Sequence, residues 1–147
     1  YLPGTDPTIF SVASTRFGTL ICYEAIYPEL ARELVNRGAQ FLVNISNDSL
    51  FPAGAGPAQH YEIVSFRAVA NRVSLVRVTN SGVSAVVDPA GREVVRLPSG
   101  TPTAQSVSVP VGTGGSFYAR HGDLFAMACI ALSLGALVVR ALGHLPH

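Results

Sequence analysis

The chain has 147 residues, enough for one domain with a real hydrophobic core. Hydrophobic residues make up 48% and charged residues 13%, which excludes a disordered chain, and a net charge of +1 gives no electrostatic basis for binding nucleic acid. All ten cationic side chains are Arg, so no catalytic Lys comes from within it.

Residues 1–8 hold two prolines, a glycine and an aspartate and read as an extended loop. Tyr1-Leu2-Pro3-Gly4 has neither a Met nor a charged-then-apolar leader, so no signal peptide is expected and the chain reads as the C-terminal piece of a longer protein. Ile9 to Ala13 and Thr19 to Cys22 predict short strands around a turn at Arg16-Phe17-Gly18. Pro28 suits the first turn of a helix to about Arg37, with Leu30, Leu34 and Val35 as its apolar stripe and Gly38 as its stop. Phe41 to Ile45 predicts a buried strand that ends in the polar cluster Ser46-Asn47-Asp48-Ser49. Residues 52–57 form a loop. Helical spacing returns from about Ala58 to Arg72, with Tyr61, Val64, Ala68 and Val69 inward. Ser74 to Thr79 is a strand. Val83 to Val87 and Glu93 to Leu97 form a hairpin closed by Asp88-Pro89-Ala90-Gly91. Gln105 to Val109 reads as a last strand. Alternating strands and helices followed by a hairpin argue for an α/β sheet with helices on one face.

Gly112 to Gly115 reads as a flexible joint, and Phe117 and Tyr118 suit a membrane interface. Leu124 to Val139 is a run of 16 uncharged residues, about 24 Å as a helix at about 1.5 Å per residue. That is slightly short of the roughly 20 residues a bilayer core needs. Snorkelling by Arg140 and extension through Ala141-Leu142-Gly143 make up the difference. The alternative is a buried core helix.

Cys22 stands at the end of the apolar run Gly18-Thr19-Leu20-Ile21, where the chain turns toward a helix. A strand-to-helix turn pushes a side chain out of the sheet and brings backbone N–H groups near it, which suits a nucleophile. The default for a free Cys is a buried structural thiol, but Tyr23 and Glu24 directly after it are poor choices for packing. Asn47, Asp48 and Ser49 end the next strand and so reach the same edge of a parallel sheet, the edge at which ligands bind; His60 is within reach of the same rim. For Asn47, Asp48 and Ser49 the other reading is a capping or turn cluster, and for His60 a surface histidine at a helix start. Cys129 reads as a small apolar residue in the last helix and not as a disulfide partner of Cys22. With neither metal-ligand spacing nor a phosphate-binding glycine loop, no metal and no cofactor is expected.

Taken in order, Gly18-Thr19-Leu20-Ile21-Cys22-Tyr23-Glu24, Asn44-Ile45-Ser46-Asn47-Asp48-Ser49, Gln59-His60, Phe66-Arg67-Ala68-Val69, Arg77-Val78-Thr79-Asn80-Ser81-Gly82-Val83-Ser84-Ala85 and Asp88-Pro89-Ala90-Gly91-Arg92 resemble the C-terminal half of the bacterial apolipoprotein N-acyltransferase family. The resemblance covers nearly the whole chain. It implies the C-terminal half of a nitrilase-like α-β-β-α sandwich over residues 1–111, a linker over 112–123 and one transmembrane helix over 124–142. It implies a bacterial inner-membrane protein with its catalytic domain facing the periplasm, monomeric when complete. Its activity would be acyl transfer from a phospholipid, through a Cys thioester, to the N-terminal α-amine of a diacylglyceryl-cysteine lipoprotein.

In that family a Glu–Lys–Cys triad does the chemistry. Cys22 takes the nucleophile's position, while the Glu and Lys belong upstream of Tyr1. The resemblance places Tyr23 as a pocket wall and Glu24 as a group that orients the thiol or the incoming amine; the structural alternative for Glu24 is an ion pair with Arg67. Asn47, Asp48, Ser49 and His60 are the supporting residues of the rim. Leu50 stands where the family often has Trp, and Ala70 where the wider superfamily often has Glu. Two rival readings remain: a nitrilase-superfamily amidohydrolase that passes the acyl group to water, and a non-catalytic membrane-anchored remnant.

Overall fold

Two strand–helix–strand crossovers set the architecture. The computed structural model describes residue 4, residues 6–51 and residues 54–142. In chain order it has β1 (Ile9–Val12), β2 (Thr15–Ile21), a 3-10 turn (Cys22–Ile26), α1 (Pro28–Asn36) and β3 (Phe41–Ser46). A second 3-10 turn (Asp48–Leu50), α2 (Gly56–Asn71), β4 (Ser74–Thr79), β5 (Ala85–Val87) and β6 (Glu93–Arg96) follow, then α3 (Phe117–His121) and α4 (Leu124–Leu142). The six strands form one sheet in sequence order. β2, β3 and β4 run parallel, joined by α1 and α2, and the remaining pairs are antiparallel.

The helices cover one face of this sheet. Strand register aligns Gly18 with Leu42 and Leu75, and Leu20 with Asn44 and Arg77. These alternate positions point toward Ala31, Leu34 and Val35 of α1 and Tyr61, Val64 and Ala68 of α2, and together they form the core. Leu20, Leu34, Leu42 and Leu75 are fully buried, each contributing about 1.5–3 kcal/mol by leaving water. α1 ends as its sequence predicts. Gly38 takes φ +98° and lets the Ala39 N–H reach back to the Leu34 carbonyl at 3.0 Å.

The opposite face is apolar and open. Phe10, Phe17 and Phe41 stack in a row with ring centroids 5.4 and 5.2 Å apart. Ile21, Ile45 and Val78, aligned across β2, β3 and β4, are all exposed. A sheet with one face packed on helices and the other apolar is half of a sandwich, the arrangement a second sheet covers.

Three expectations need correction. The β1–β2 turn falls at Ala13-Ser14, with Ala13 at φ +51°, and not at Arg16-Phe17-Gly18. Those residues stay in β2 because Phe17 stacks between two neighbours and Gly18 lies against Leu34, where a Cβ would meet side-chain atoms at 2.8 Å. Val69 is exposed, not inward. Gln105 to Val109 joins no ladder; Val107 and Val109 instead share a cleft with Val76, Val78, Val86 and Val95 of the open sheet face. The alternation that suggests a strand is real, but it lays valines onto a face and pairs no edge.

The segment expected to flex is fastened down. The Gly112 N–H donates to the Gln40 carbonyl at 3.2 Å, and the Ser116 hydroxyl donates to the Ala70 carbonyl and caps α3 by accepting from the Ala119 N–H at 2.8 Å. Asn36 donates to the Ala119 carbonyl at 2.9 Å, and the Arg32 guanidinium lies 5.4 Å over the Tyr118 ring. α4 then leaves the domain. Its stretch Leu124–Ala141 is long and apolar enough to cross a membrane, and none of it is buried against the described residues. The expected loop at 52–57 includes Pro52 and Ala53, which lie outside the described residues, as do Tyr1 to Pro3, Thr5 and the proposed extension at Gly143.

Candidate active site

Parallel strands bring the ends of β2 and β3 to one edge, and the turn after β2 starts at Cys22. Cys22 is half-buried and takes φ +50°, a left-handed conformation rare for a residue with a side chain. Holding a non-glycine residue there costs roughly 1–2 kcal/mol, so its neighbours must fix it. Three hydrogen bonds do so. The Glu24 carboxylate accepts from the Ile21 N–H at 2.7 Å, and the Asn44 amide donates to the Leu20 carbonyl at 2.9 Å and to the Cys22 carbonyl at 3.3 Å. Glu24 therefore clamps the turn from outside. Among the described residues it makes no ion pair with Arg67, whose guanidinium points to the Ile63 carbonyl.

Behind the turn lies a buried polar cluster. Asn44, Asp48, His60 and Arg77 are each at most 3% exposed. Arg77 donates to the side-chain Oδ1 of Asn44 and, at 2.8 Å, to Asp48 Oδ2. Asp48 Oδ1 accepts from the Ser46 hydroxyl at 2.6 Å and lies 3.1 Å from His60 Nδ1. Burial alone pushes the Asp48 carboxyl up, but the Ser46 hydroxyl, the Arg77 guanidinium and His60 outweigh it and hold it below the usual carboxylate range. Burial and the Arg77 charge push His60 below the ordinary imidazole value, against the pull of Asp48 and the Cys22 carbonyl. His60 Nδ1 lies 3.1 Å from both Asp48 Oδ1 and Arg77 Nη2, so a proton on that nitrogen donates to the carboxylate and a lone pair there accepts from the guanidinium.

The outer wall is aromatic. Tyr23 stacks on the His60 ring at 5.1 Å and 19°, and Phe51 stands 5.9 Å from Tyr23 and 5.3 Å from His60. With Ile26 and Ile63 they line a depression of about 230 Å³ beside the turn.

The sequence-predicted residues separate here. Cys22, Tyr23, Asp48 and His60 come together, and Glu24 holds the turn. Asn47 and Ser49 are exposed and bond mainly to each other, the Asn47 side chain accepting from the Ser49 N–H at 3.2 Å and its hydroxyl at 2.6 Å. Those bonds form a capping cluster at the start of the second 3-10 turn. His60 is buried and not a surface histidine. Asn44, Arg77, Phe51 and Gly82 are the residues that sequence reasoning missed. The missed signal was a polar residue at an inward strand position: Asn44 and Arg77 occupy the same register row in otherwise apolar strands. Among the described residues no group of three His, Cys, Asp or Glu side chains is placed to hold a metal ion.

Residues 1–118 match the family model described as carbon-nitrogen hydrolase. The chain belongs to the carbon-nitrogen hydrolase family. Among curated relatives, the apolipoprotein N-acyltransferase of Geobacter metallireducens is 42% identical over 97% of this chain. The chain spans only 27% of that relative's length and corresponds to its C-terminal part. Among solved structures, Saccharomyces cerevisiae Nit3, a member of branch 10 of the nitrilase superfamily, aligns with TM-score 0.60 and 29% identity over 69% of this chain and 40% of its own. A mutant amidase from Nesterenkonia sp. AN1, carrying acrylamide added at its active site cysteine, aligns with TM-score 0.56 and 26% identity over 66% of this chain and 41% of its own.

Gly82 makes the polar cluster of this carbon-nitrogen hydrolase domain testable. It is buried, and a Cβ there would meet the Asp48 carboxyl carbon at 2.7 Å and Cβ at 2.8 Å. Gly82→Ala is expected to push Asp48 off Arg77 and cost about 1–3 kcal/mol, the usual cost of overpacking. Thermal melts of the two proteins check this; an unchanged Tm would mean the β4–β5 loop moves freely aside.

Proposed function

We propose that this chain is the C-terminal part of an apolipoprotein N-acyltransferase and that Cys22 is its nucleophile. One observation carries the reading. Cys22 is held left-handed and half-buried at the carboxyl edge of a parallel sheet, in a chain 42% identical over nearly its full length to an enzyme of that name.

In this reading the Cys22 thiolate attacks the ester carbonyl of a phospholipid. The C–S bond forms, the ester C–O bond breaks, and the lysophospholipid leaves with the proton first taken from the thiol. The α-amine of the lipid-modified N-terminal cysteine then attacks the thioester. The C–N bond forms, the C–S bond breaks, and the amine's proton returns to sulfur. One difficult transfer becomes two easier ones. The first N–H groups of the 3-10 turn after Cys22 have no partner within the turn and suit a developing oxyanion. Tyr23 and Phe51 wall the depression beside the turn that follows Cys22, while Glu24 fixes that turn. In this reading the general base and the second sheet over the open face come from the part of the longer relatives that this chain does not span, since it matches 27% of the Geobacter metallireducens enzyme's length.

In this reading α4 anchors the domain at the bilayer that supplies the donor, with the domain on the periplasmic side of the bacterial inner membrane. The amidase neighbour favours a second reading, in which water takes the acyl group. The test is the full-length protein in vesicles, given phospholipid labelled in the acyl chain and a diacylated lipoprotein. Label on the lipoprotein's N-terminal amine is expected; label released only as free fatty acid would favour the amidohydrolase, and no turnover at all the inert remnant.

A further inference from the structure

We propose that Arg77 and Asn44 form a positioning relay that sets the backbone of Cys22 from behind the sheet; this rests on Cys22 being the nucleophile. The argument starts from what an amide can do. Asn44 is completely buried between β2 and β4, and its carbonyl oxygen and NH₂ group are nearly the same shape. Arg77 can only donate, so its hydrogen bond to Asn44 Oδ1 fixes which end of the amide faces it. The NH₂ group must then face β2, where it meets the Leu20 carbonyl at 2.9 Å and the Cys22 carbonyl at 3.3 Å. The Leu20 carbonyl precedes the left-handed residue and the Cys22 carbonyl belongs to it, so one amide ties the chain on entering and on leaving the turn. With its amide reversed, Asn44 would present an oxygen to two oxygens and the turn would lose its hold.

Arg77 in turn is aimed by Asp48. Its Nη2 bonds Asp48 Oδ2 at 2.8 Å while Nη1 bonds Asn44, so one planar guanidinium joins the two. The same Asp48 lies against His60, whose ring carries the Tyr23 ring stacked on it. The cluster therefore grips the residues on either side of the thiol: Leu20 and Cys22 carbonyls through Asn44, and Tyr23 through His60. None of these groups has to touch a substrate. Their contribution is the orientation of the thiol, for which small displacements carry large rate penalties.

The experiment uses the full-length protein in membranes, with Asn44→Asp and Asn44→Ala, and Tyr61→Phe as a comparison. Asn44→Asp keeps an acceptor for Arg77 but removes the donors to both carbonyls. Asn44→Ala removes the side-chain bonds without adding charge. Tyr61→Phe removes a hydrogen bond to Glu93 away from the turn. Three quantities are read: kcat and KM for transfer, the pH profile of iodoacetamide alkylation measured on the Cys22 peptide, and Tm. Expected for the Asn44 variants is a fall in kcat of about 10- to 100-fold with KM within about threefold. Their alkylation profile should shift, while Tyr61→Phe leaves both readouts in place. A lower Tm with unchanged alkylation and kcat, or unfolding of both Asn44 variants, would overturn the relay and leave a purely structural cluster. Alkylation of Cys22 is independent of turnover. A full-length protein with no transfer activity would therefore count against the acyltransferase reading, while the alkylation profiles still decide the relay.

Discussion

Cys22→Ser in the full-length protein is expected to lower acyl transfer by at least about 10³-fold, with the fold intact. The magnitude follows from what removing a nucleophile does when the rest of the site remains. The substitution exchanges sulfur for oxygen at nearly constant shape, and the bonds that hold the turn all involve backbone atoms of Leu20, Ile21 and Cys22, not the thiol. The left-handed backbone should therefore survive. What is lost is the thiol sulfur, and a hydroxyl in its place without a matched base is a far weaker nucleophile. Transfer rate and Tm of both proteins check the claim together. Retained transfer would remove Cys22 from the chemistry, and a large fall in Tm would make the loss uninformative about mechanism.

Arg77→Met should be the most destabilising change in the domain, at about 3–5 kcal/mol, because it leaves the Asp48 charge buried without its cation. Both partners are fully buried, with Asp48 Oδ2 accepting from Arg77 at 2.8 Å. The pair itself need not stabilise the fold relative to an apolar replacement, and a double variant, Arg77→Met with Asp48→Leu, should be less destabilised than the sum of the two singles. Denaturant unfolding of the three variants measures this coupling. Additive losses would mean that the two side chains act independently. Acid should act in the same direction. Asp48 has a lowered folded-state pKa, so its contribution is present above the unfolded carboxylate value and is lost as pH falls through the folded one. His60 is also lowered, so acidification below the ordinary imidazole value favours the unfolded chain, which binds that proton more readily.

Much of this fold is legible in the residues because local and global preferences agree. β4 matches its predicted bounds. α1 starts at Pro28 and stops before Gly38, where proline and glycine chemistry dictates. The failures come where tertiary packing overrides local signals. Gly18 looks like a turn residue, yet it is a glycine because Leu34 occupies the space beside it. Gly112 to Gly115 looks flexible, yet backbone and serine bonds fasten the segment to α2 and the loop before β3. The site shows the same division. Cys22, Tyr23 and Glu24 follow from a thiol at a strand end, and Asp48 and His60 from the topology of a parallel sheet. Asn47 and Ser49 share that edge but point to each other. Arg77 and Asn44 were hidden because a polar residue inside an apolar strand acquires meaning only once the register places the two side by side.

The central claim is a covalent acyl-enzyme at Cys22, and the most direct measurement is the mass of the Cys22 peptide from the full-length protein purified from its native membranes, before and after hydroxylamine. A fatty-acyl increment that hydroxylamine removes, and that disappears in Cys22→Ser, is the predicted result. An unmodified Cys22 peptide in protein that is actively transferring acyl groups, even when the acceptor lipoprotein is depleted, would contradict it.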